Sequence, residues 1–184
     1  MRLQDPGKNA EAPKNHAGVR NTMDDAPSYD ITVTEPDHVV SIADWPPIDA
    51  AALRAVVVAV LRRHGIRRAR IGLVVLDDGE IARLNKAYMN HEGPTDVITF
   101  DMRDTSEGEC VDGEIVVSAQ TALRQAAARG HGLVDELSLY AVHGVLHLLG
   151  YDDHGDEQAE RMHKVEDEVL TSMGIGAIYD ATRR

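Results

Sequence analysis

From residue 30 onward the chain alternates short apolar runs with stripes of helical period, and each run signals its own kind of element. Ile31 and Val33 alternate with polar neighbours, the period-two pattern of a half-buried strand. Pro46-Pro47 break the chain, and Ile48 to Arg63 reads as an Ala/Leu/Val-rich helix. Arg70 to Leu76 is a strand too apolar to face water for long on either side. Asp77-Asp78 cap a helix running to about Tyr88, with Ile81, Leu84 and Tyr88 on its inner face. Gly93-Pro94 then lead into a strand over 96–100, and the polar stretch 101–112 reads as loop. A fourth strand covers 113–118, and Ser118 caps a helix over 119–129. Gly130 to Gly132 separate it from a helix at about 134–149, and an amphipathic helix follows at 156–172.

Four strands and five helices alternate only in part. The pattern predicts an α+β single domain, with a small mixed four-stranded sheet packed against about five helices. Residues 1–29 carry Pro, Gly, Asn, Asp and Lys with almost no branched aliphatics, and read as a disordered tail ahead of a domain over 30–184. Met23 is a candidate start of translation.

Charge narrows the class. Lys and Arg number 19 against 31 Asp and Glu, for a net −12, which does not advertise a general nucleic-acid binder. In the tail Asp5, Glu11, Asp24 and Asp25 balance Arg2, Lys8, Lys14 and Arg20, so the negative excess belongs to the domain. An anionic substrate must therefore be held by a local patch or by a metal. The one concentrated basic run is Arg62, Arg63, His64, Arg67, Arg68 and Arg70, either a solvated helix end or a phosphate track. Cys110 is the single cysteine, so the chain forms no internal disulfide. No apolar run approaches the length of a membrane span, and the N-terminus lacks the apolar stretch of a secretory signal; the cytoplasm is the expected location.

The chemistry concentrates in Tyr140-Ala-Val-His-Gly-Val-Leu-His-Leu-Leu-Gly150. His143 and His147 lie one helical turn apart on one face, so both imidazoles can grip one ion. Gly150 can end the helix and let the chain return with His154 as a third ligand, leaving a coordination position open as in catalytic zinc sites. Val142, Val145, Leu146, Leu148 and Leu149 make the helix apolar around most of its circumference, and two buried imidazoles need partners. Gly144 stands where helical metallopeptidases carry the Glu that acts as general base, which argues against a peptidase. A glycine there also allows close approach by a substrate or by a neighbouring element. Glu136, at the start of the same helix, reads as a favourable partner of the helix dipole.

The run from His143 to His154 closely resembles the signature of the YbeY family, bacterial metal-dependent endoribonucleases of ribosomal RNA maturation. Leu84-Asn85 through Tyr88, Pro94-Thr95-Asp96-Val97-Ile98-Thr99-Phe100 and Gly113-Glu114-Ile115-Val116-Val117-Ser118 resemble further family blocks in order and spacing. Met162 and Glu166 fall where the family's last helix carries such residues, so the resemblance covers about residues 30–172. It implies one zinc-type ion on His ligands and single-strand-selective cleavage of RNA in ribosomal RNA maturation and ribosome quality control. Ribosomal RNA and small-subunit assembly proteins are the implied partners. A ribosome-assembly factor that keeps the fold without catalysis is the alternative.

Three departures from the family pattern carry information. Six residues, Leu148 to Asp153, separate His147 from His154, one more than usual. Asp153 thus takes the usual third-ligand position and competes with His154, which is favoured because imidazole matches the other two ligands. Met89 stands where the family has an Arg, and Glu114 where it has an Asp. Asp152 is a weak catalytic candidate that could orient a ligand histidine. Thr95, Asp96, Arg67 and Arg68 are candidate substrate-binding residues.

Overall fold

A computed structural model of the chain describes residues 26–35, 47–104 and 110–178. The expected tail up to residue 25, the candidate start Met23, and Pro46 of the expected break lie outside the described residues. In chain order the elements are β1 (Ser28–Thr34), α1 (Ala50–Arg63), β2 (Arg68–Leu76), α2 (Asp78–Leu84), β3 (Val97–Asp101), β4 (Val111–Ser118), α3 (Ala119–Arg129), α4 (Leu133–Leu148) and α5 (Asp156–Ser172). The α+β architecture and its four-stranded mixed sheet are those expected from the pattern.

The sheet order is β1-β2-β4-β3. β1 runs parallel to β2 and β2 parallel to β4, whereas β3 is an antiparallel edge strand that pairs Ile98 with Val116. Alternation within the strands gives each face its own core. Ile71, Leu73, Val75, Ile115 and Val117 pack with α1, α4 and α5, while Val116 and Ile98 join Leu76 and Ile81 of α2 in a smaller cluster. The sheet is thus covered by helices over the larger face and, among the described residues, by the short α2 on the other.

Two caps, Asp77 and Ser118, are those the sequence signals, whereas α1 starts at Ala50, two residues after the expected Ile48, with Asp49 as its cap. The Asp49 carboxylate accepts from Ala52 N at 2.9 Å, Asp77 from Glu80 N at 2.7 Å, and Ser118 Oγ from Thr121 N at 3.1 Å. Gly130 and Gly150 adopt φ of 80° and 87°, the left-handed conformation that stops α3 and turns the chain just past α4.

Several boundaries differ from the sequence expectation. β1 begins at Ser28, so Ser28 and Tyr29 belong to the sheet and not to a tail; the Tyr29 hydroxyl donates to the Ile66 carbonyl at 2.7 Å. β4 begins at Val111, because parallel pairing with β2 extends through Ala69. The helix from Asp78 changes at Asn85 into a wider π-turn over Asn85–Met89, ended by Asn90 at φ 57°. That rotation takes Tyr88 off the inner face: it is 66% exposed and meets Phe100 edge to face. Glu136 lies in the first turn of α4, where the helix dipole favours it as expected, and it is an internal ion-pair partner as well. It is fully buried and takes Arg129 Nη1 at 2.5 Å and His131 Nε2 at 2.6 Å, which ties the α3–α4 connection to the core.

Two glycines set how deeply α4 presses on the sheet. A Cβ at Gly144 would lie 2.5 Å from Ile115 Cγ2, and one at Gly113 would lie 2.6 Å from Leu148 Cδ2. The glycine after His143 therefore serves helix-to-strand packing, the neighbouring-element alternative of the two left open by the sequence.

Candidate metal centre

α4 carries His143 and His147 one turn apart, and packing on β4 fixes the helix that holds them. Their Nε2 atoms lie 2.9 Å apart. Each ring is held from behind by an acceptor on its Nδ1. His143 Nδ1 faces Glu166 Oε1 at 2.7 Å, and His147 Nδ1 faces the Tyr151 carbonyl at 3.0 Å. A carbonyl cannot donate, so His147 Nδ1 carries the hydrogen, and the carboxylate asks the same of His143. Both Nε2 lone pairs then point into one small volume, an arrangement that repels unless a proton or a metal cation stands between them.

Asp153 adds a carboxylate to that volume, with Oδ2 3.8 Å from His143 Nε2 and Oδ1 4.0 Å from His147 Nε2. The three ligand atoms lie within 4.8 Å of one another. His154, the ligand favoured by the sequence, turns aside: its side chain is 85% exposed and its Nδ1 is bonded to Asp152 Oδ1. His154 forms a second, fully exposed group with Asp152 and Asp153. The loop thus brings Asp153 to the histidine pair and leaves Asp152 holding His154.

Glu166, named from the sequence only as part of the family resemblance, stands directly behind His143. It comes from α5, is fully buried, and its Oε2 has no hydrogen-bond partner among the described residues. A buried carboxylate with one bare oxygen is costly without positive charge nearby. Burial opposes a charge on His143, yet the hydrogen bond and charge of Glu166, with Asp153 and Asp96 behind it, outweigh burial and raise its pKa above the ordinary value. The negative potential that retains a proton there equally favours a cation. Two imidazole nitrogens and a carboxylate oxygen, with acceptors orienting both rings from behind, are the donor set of a zinc-type ion.

Two clefts share elements with this group, one through the loop after α4 and one through Tyr140 of α4. One, of about 350 Å³, is lined by Tyr151, Asp152, Gln158 and Arg161. The other, of about 290 Å³, is lined by Thr95 and Asp96 together with Arg124, Gln125, Arg129 and Tyr140. Thr95 and Asp96 therefore stand at a cleft as expected, with Thr95 Oγ1 donating to Asp96 Oδ1 at 3.0 Å. Arg67 and Arg68 lie exposed at the start of β2. The basic end of α1 reaches the metal loop by another route: His64 Nε2 lies 3.0 Å from the Tyr151 hydroxyl. Met89 is 41% exposed on the π-turn.

The chain is similar to known proteins in sequence and in fold. The family model described as Endoribonuclease YbeY matches residues 44–174. A protein named Endoribonuclease YbeY from Pelotomaculum thermopropionicum is 42% identical over 122 residues, covering 63% of this chain and 80% of that protein. Its namesake from Parvibaculum lavamentivorans is 37% identical over 149 residues, covering 75% of this chain and 80% of its own length. The solution structure of TM1509 from Thermotoga maritima shares the fold with a TM-score of 0.50 at 22% identity, covering 79% of this chain and 91% of that one.

Proposed function

The chain belongs to the YbeY endoribonuclease family, and on that premise we propose that it is a metal-dependent, single-strand-selective endoribonuclease of ribosomal RNA maturation and ribosome quality control. The observation that carries the metal dependence is the pair of Nε2 lone pairs at 2.9 Å, each ring fixed by an acceptor on its Nδ1, with Asp153 alongside. His143 and His147 hold one ion, zinc by preference, since imidazole and carboxylate suit it while cellular supply sets the final occupant. Asp153 is the third ligand, and His154, steered by Asp152, is within one loop adjustment of replacing it. When bound, the ion supplies Lewis-acid stabilisation of charge on a phosphodiester oxygen.

The protein's own groups do the rest. Glu166 and the Tyr151 carbonyl hold the two rings in the tautomer that presents Nε2, and the burial of α4 keeps them from rotating. Thr95 and Asp96 contact the RNA strand where it enters the neighbouring cleft, and Arg67 with Arg68 offer it positive charge farther out. The domain begins with β1 at Ser28, works in the cytoplasm, and meets ribosomal RNA and small-subunit assembly proteins. No described helix is long and apolar enough to cross a membrane.

One observation favours a second reading. Met89 offers no charge where the family carries an arginine, as a non-enzymatic assembly factor would tolerate. Cleavage of ribosomal RNA by the purified protein, with His147→Ala prepared in parallel, separates the two. Cutting by the wild type and not by the folded variant supports the nuclease. Absence of cutting by a metal-loaded wild type leaves the assembly factor.

A further inference from the structure

The cleft that Thr95 and Asp96 share with α3 has a built chemistry on its other side. At about 290 Å³ it is at the small end of the roughly 300–1,000 Å³ typical of ligand sites, room for about one nucleotide unit. Tyr140, which lines it, stands three residues before His143 on α4, so the cleft and the histidine pair share one side of that helix.

Arg124 is the cation best placed for a ligand. Its Nη1 donates to Asp78 Oδ2 at 2.7 Å and its Nη2 to Thr121 Oγ1 at 2.8 Å, while the side chain stays 58% exposed. A guanidinium has five N–H donors in a planar fork, so two fixed bonds orient it and leave donors for a phosphate. Beside it Gln125 presents an exposed amide, whereas the charge of Arg129 is matched by the buried Glu136. The hydroxyl of Tyr140 is buried without a hydrogen bond among the described residues, although Glu136 is near enough that its charge, after burial, holds the phenol in its neutral form. Asp96 is the acidic member of the cleft. It repels a phosphate set against it and instead suits a hydroxyl donor.

We propose that this cleft is a ribonucleotide subsite, in which Arg124 takes the phosphate of a nucleotide flanking the bond to be cut and Asp96 accepts from a ribose hydroxyl. The assignment rests on the RNA reading above and extends it to residues of α3 which that reading does not use.

The test is fluorescence anisotropy of a labelled single-stranded oligoribonucleotide, and of the same sequence in DNA, on the full chain with chelator present so that nothing turns over. Arg124→Ala is expected to weaken RNA binding roughly tenfold. It should also flatten the slope of log K against log salt by about 0.7, the share of one phosphate contact on a single strand. Asp78→Asn removes the charge but keeps a side-chain acceptor that can orient the guanidinium, so it lowers the melting temperature and keeps RNA binding. Asp96→Asn narrows the preference for RNA over DNA. Wild-type affinity and slope in Arg124→Ala overturn the proposal, as does a wild type that binds neither strand. An equal loss in Asp78→Asn also overturns it, because Arg124 would then act only by packing. Equal binding of RNA and DNA by the wild type removes the ribose contact. Cleavage measured in parallel keeps the two readings apart. A wild type that never cuts sinks the nuclease, whereas one that cuts with KM unchanged by Arg124→Ala sinks the subsite alone.

Discussion

Gly144→Ala adds one methyl group to the helix that carries both histidines, and the structure gives both the sign and the size of its effect. On an exposed helix the change would stabilise by about 1 kcal/mol, since Ala loses less backbone entropy than Gly. Here the new Cβ would meet Ile115 Cγ2 at 2.5 Å, Cγ1 at 3.0 Å and Cδ1 at 3.1 Å. Ordinary carbon contacts are about 3.5–4.0 Å, so the closest pair must separate by about 1 Å. Ile115 is fully buried in a strand paired on both sides and has little room to yield. Overpacking of this kind costs about 1–3 kcal/mol, so the net effect is a loss of up to about 2 kcal/mol. Each kcal/mol lowers Tm by about 2–4 °C in a domain of this size. Movement of α4 away from β4 also displaces His143, and an error of about 1 Å at a reacting group can cost about a hundredfold in rate. Thermal melts and RNA cleavage rates read the two effects. Ile115→Ala alone opens a cavity costing about 2–5 kcal/mol, but the double variant should lose clearly less than the sum, because the new methyl fills the space vacated. A rise in Tm with Gly144→Ala, or strict additivity in the cycle, would refute the packing argument.

Two further outcomes follow from the same structure. Glu166→Gln keeps an acceptor for His143 Nδ1 but removes its charge, and should weaken metal binding about 10- to 100-fold with the fold intact, read by competition with a chromophoric chelator; unchanged affinity would leave Glu166 a packing residue. Asp78 accepts from Arg124, Ser118 and Thr121, and although burial opposes its charge these partners hold its pKa below the ordinary 3.8. Because the folded value is depressed, the stability is present above 3.8 and is lost as pH falls through the folded pKa. The Tm difference between wild type and Asp78→Asn should therefore shrink on acidification, and a difference independent of pH would contradict the linkage.

Much of this molecule could be read before its structure, for identifiable reasons. The strands and long helices follow from period-two and helical patterns closed by strong caps, so Asp77 and Ser118 stand as caps where the pattern puts them. His143 and His147 are legible because a local spacing fixes their shared face. What escaped depends on long-range or irregular geometry. The π-turn over Asn85–Met89 obeys neither period, and Tyr88 was consequently placed inside. Whether Asp153 or His154 turns toward the pair is decided by the path of an irregular loop, which residue spacing alone cannot give. Glu166 reaches His143 across 23 residues of sequence, and Arg124 meets Asp78 across 46. The first-turn place of Glu136 is legible in the sequence, but its burial against Arg129, the last residue of α3, and His131 of the connection is a matter of packing.

The most direct test of the central claim is zinc titration of the chelator-stripped protein against His147→Ala, Asp153→Ala and His154→Ala. The account predicts one ion per chain for the wild type, no stoichiometric binding by His147→Ala, at least a tenfold weaker site in Asp153→Ala, and near wild-type affinity in His154→Ala. A wild type that takes up no stoichiometric ion, or a His147→Ala that keeps it, would contradict the metal centre on which the proposed nuclease rests.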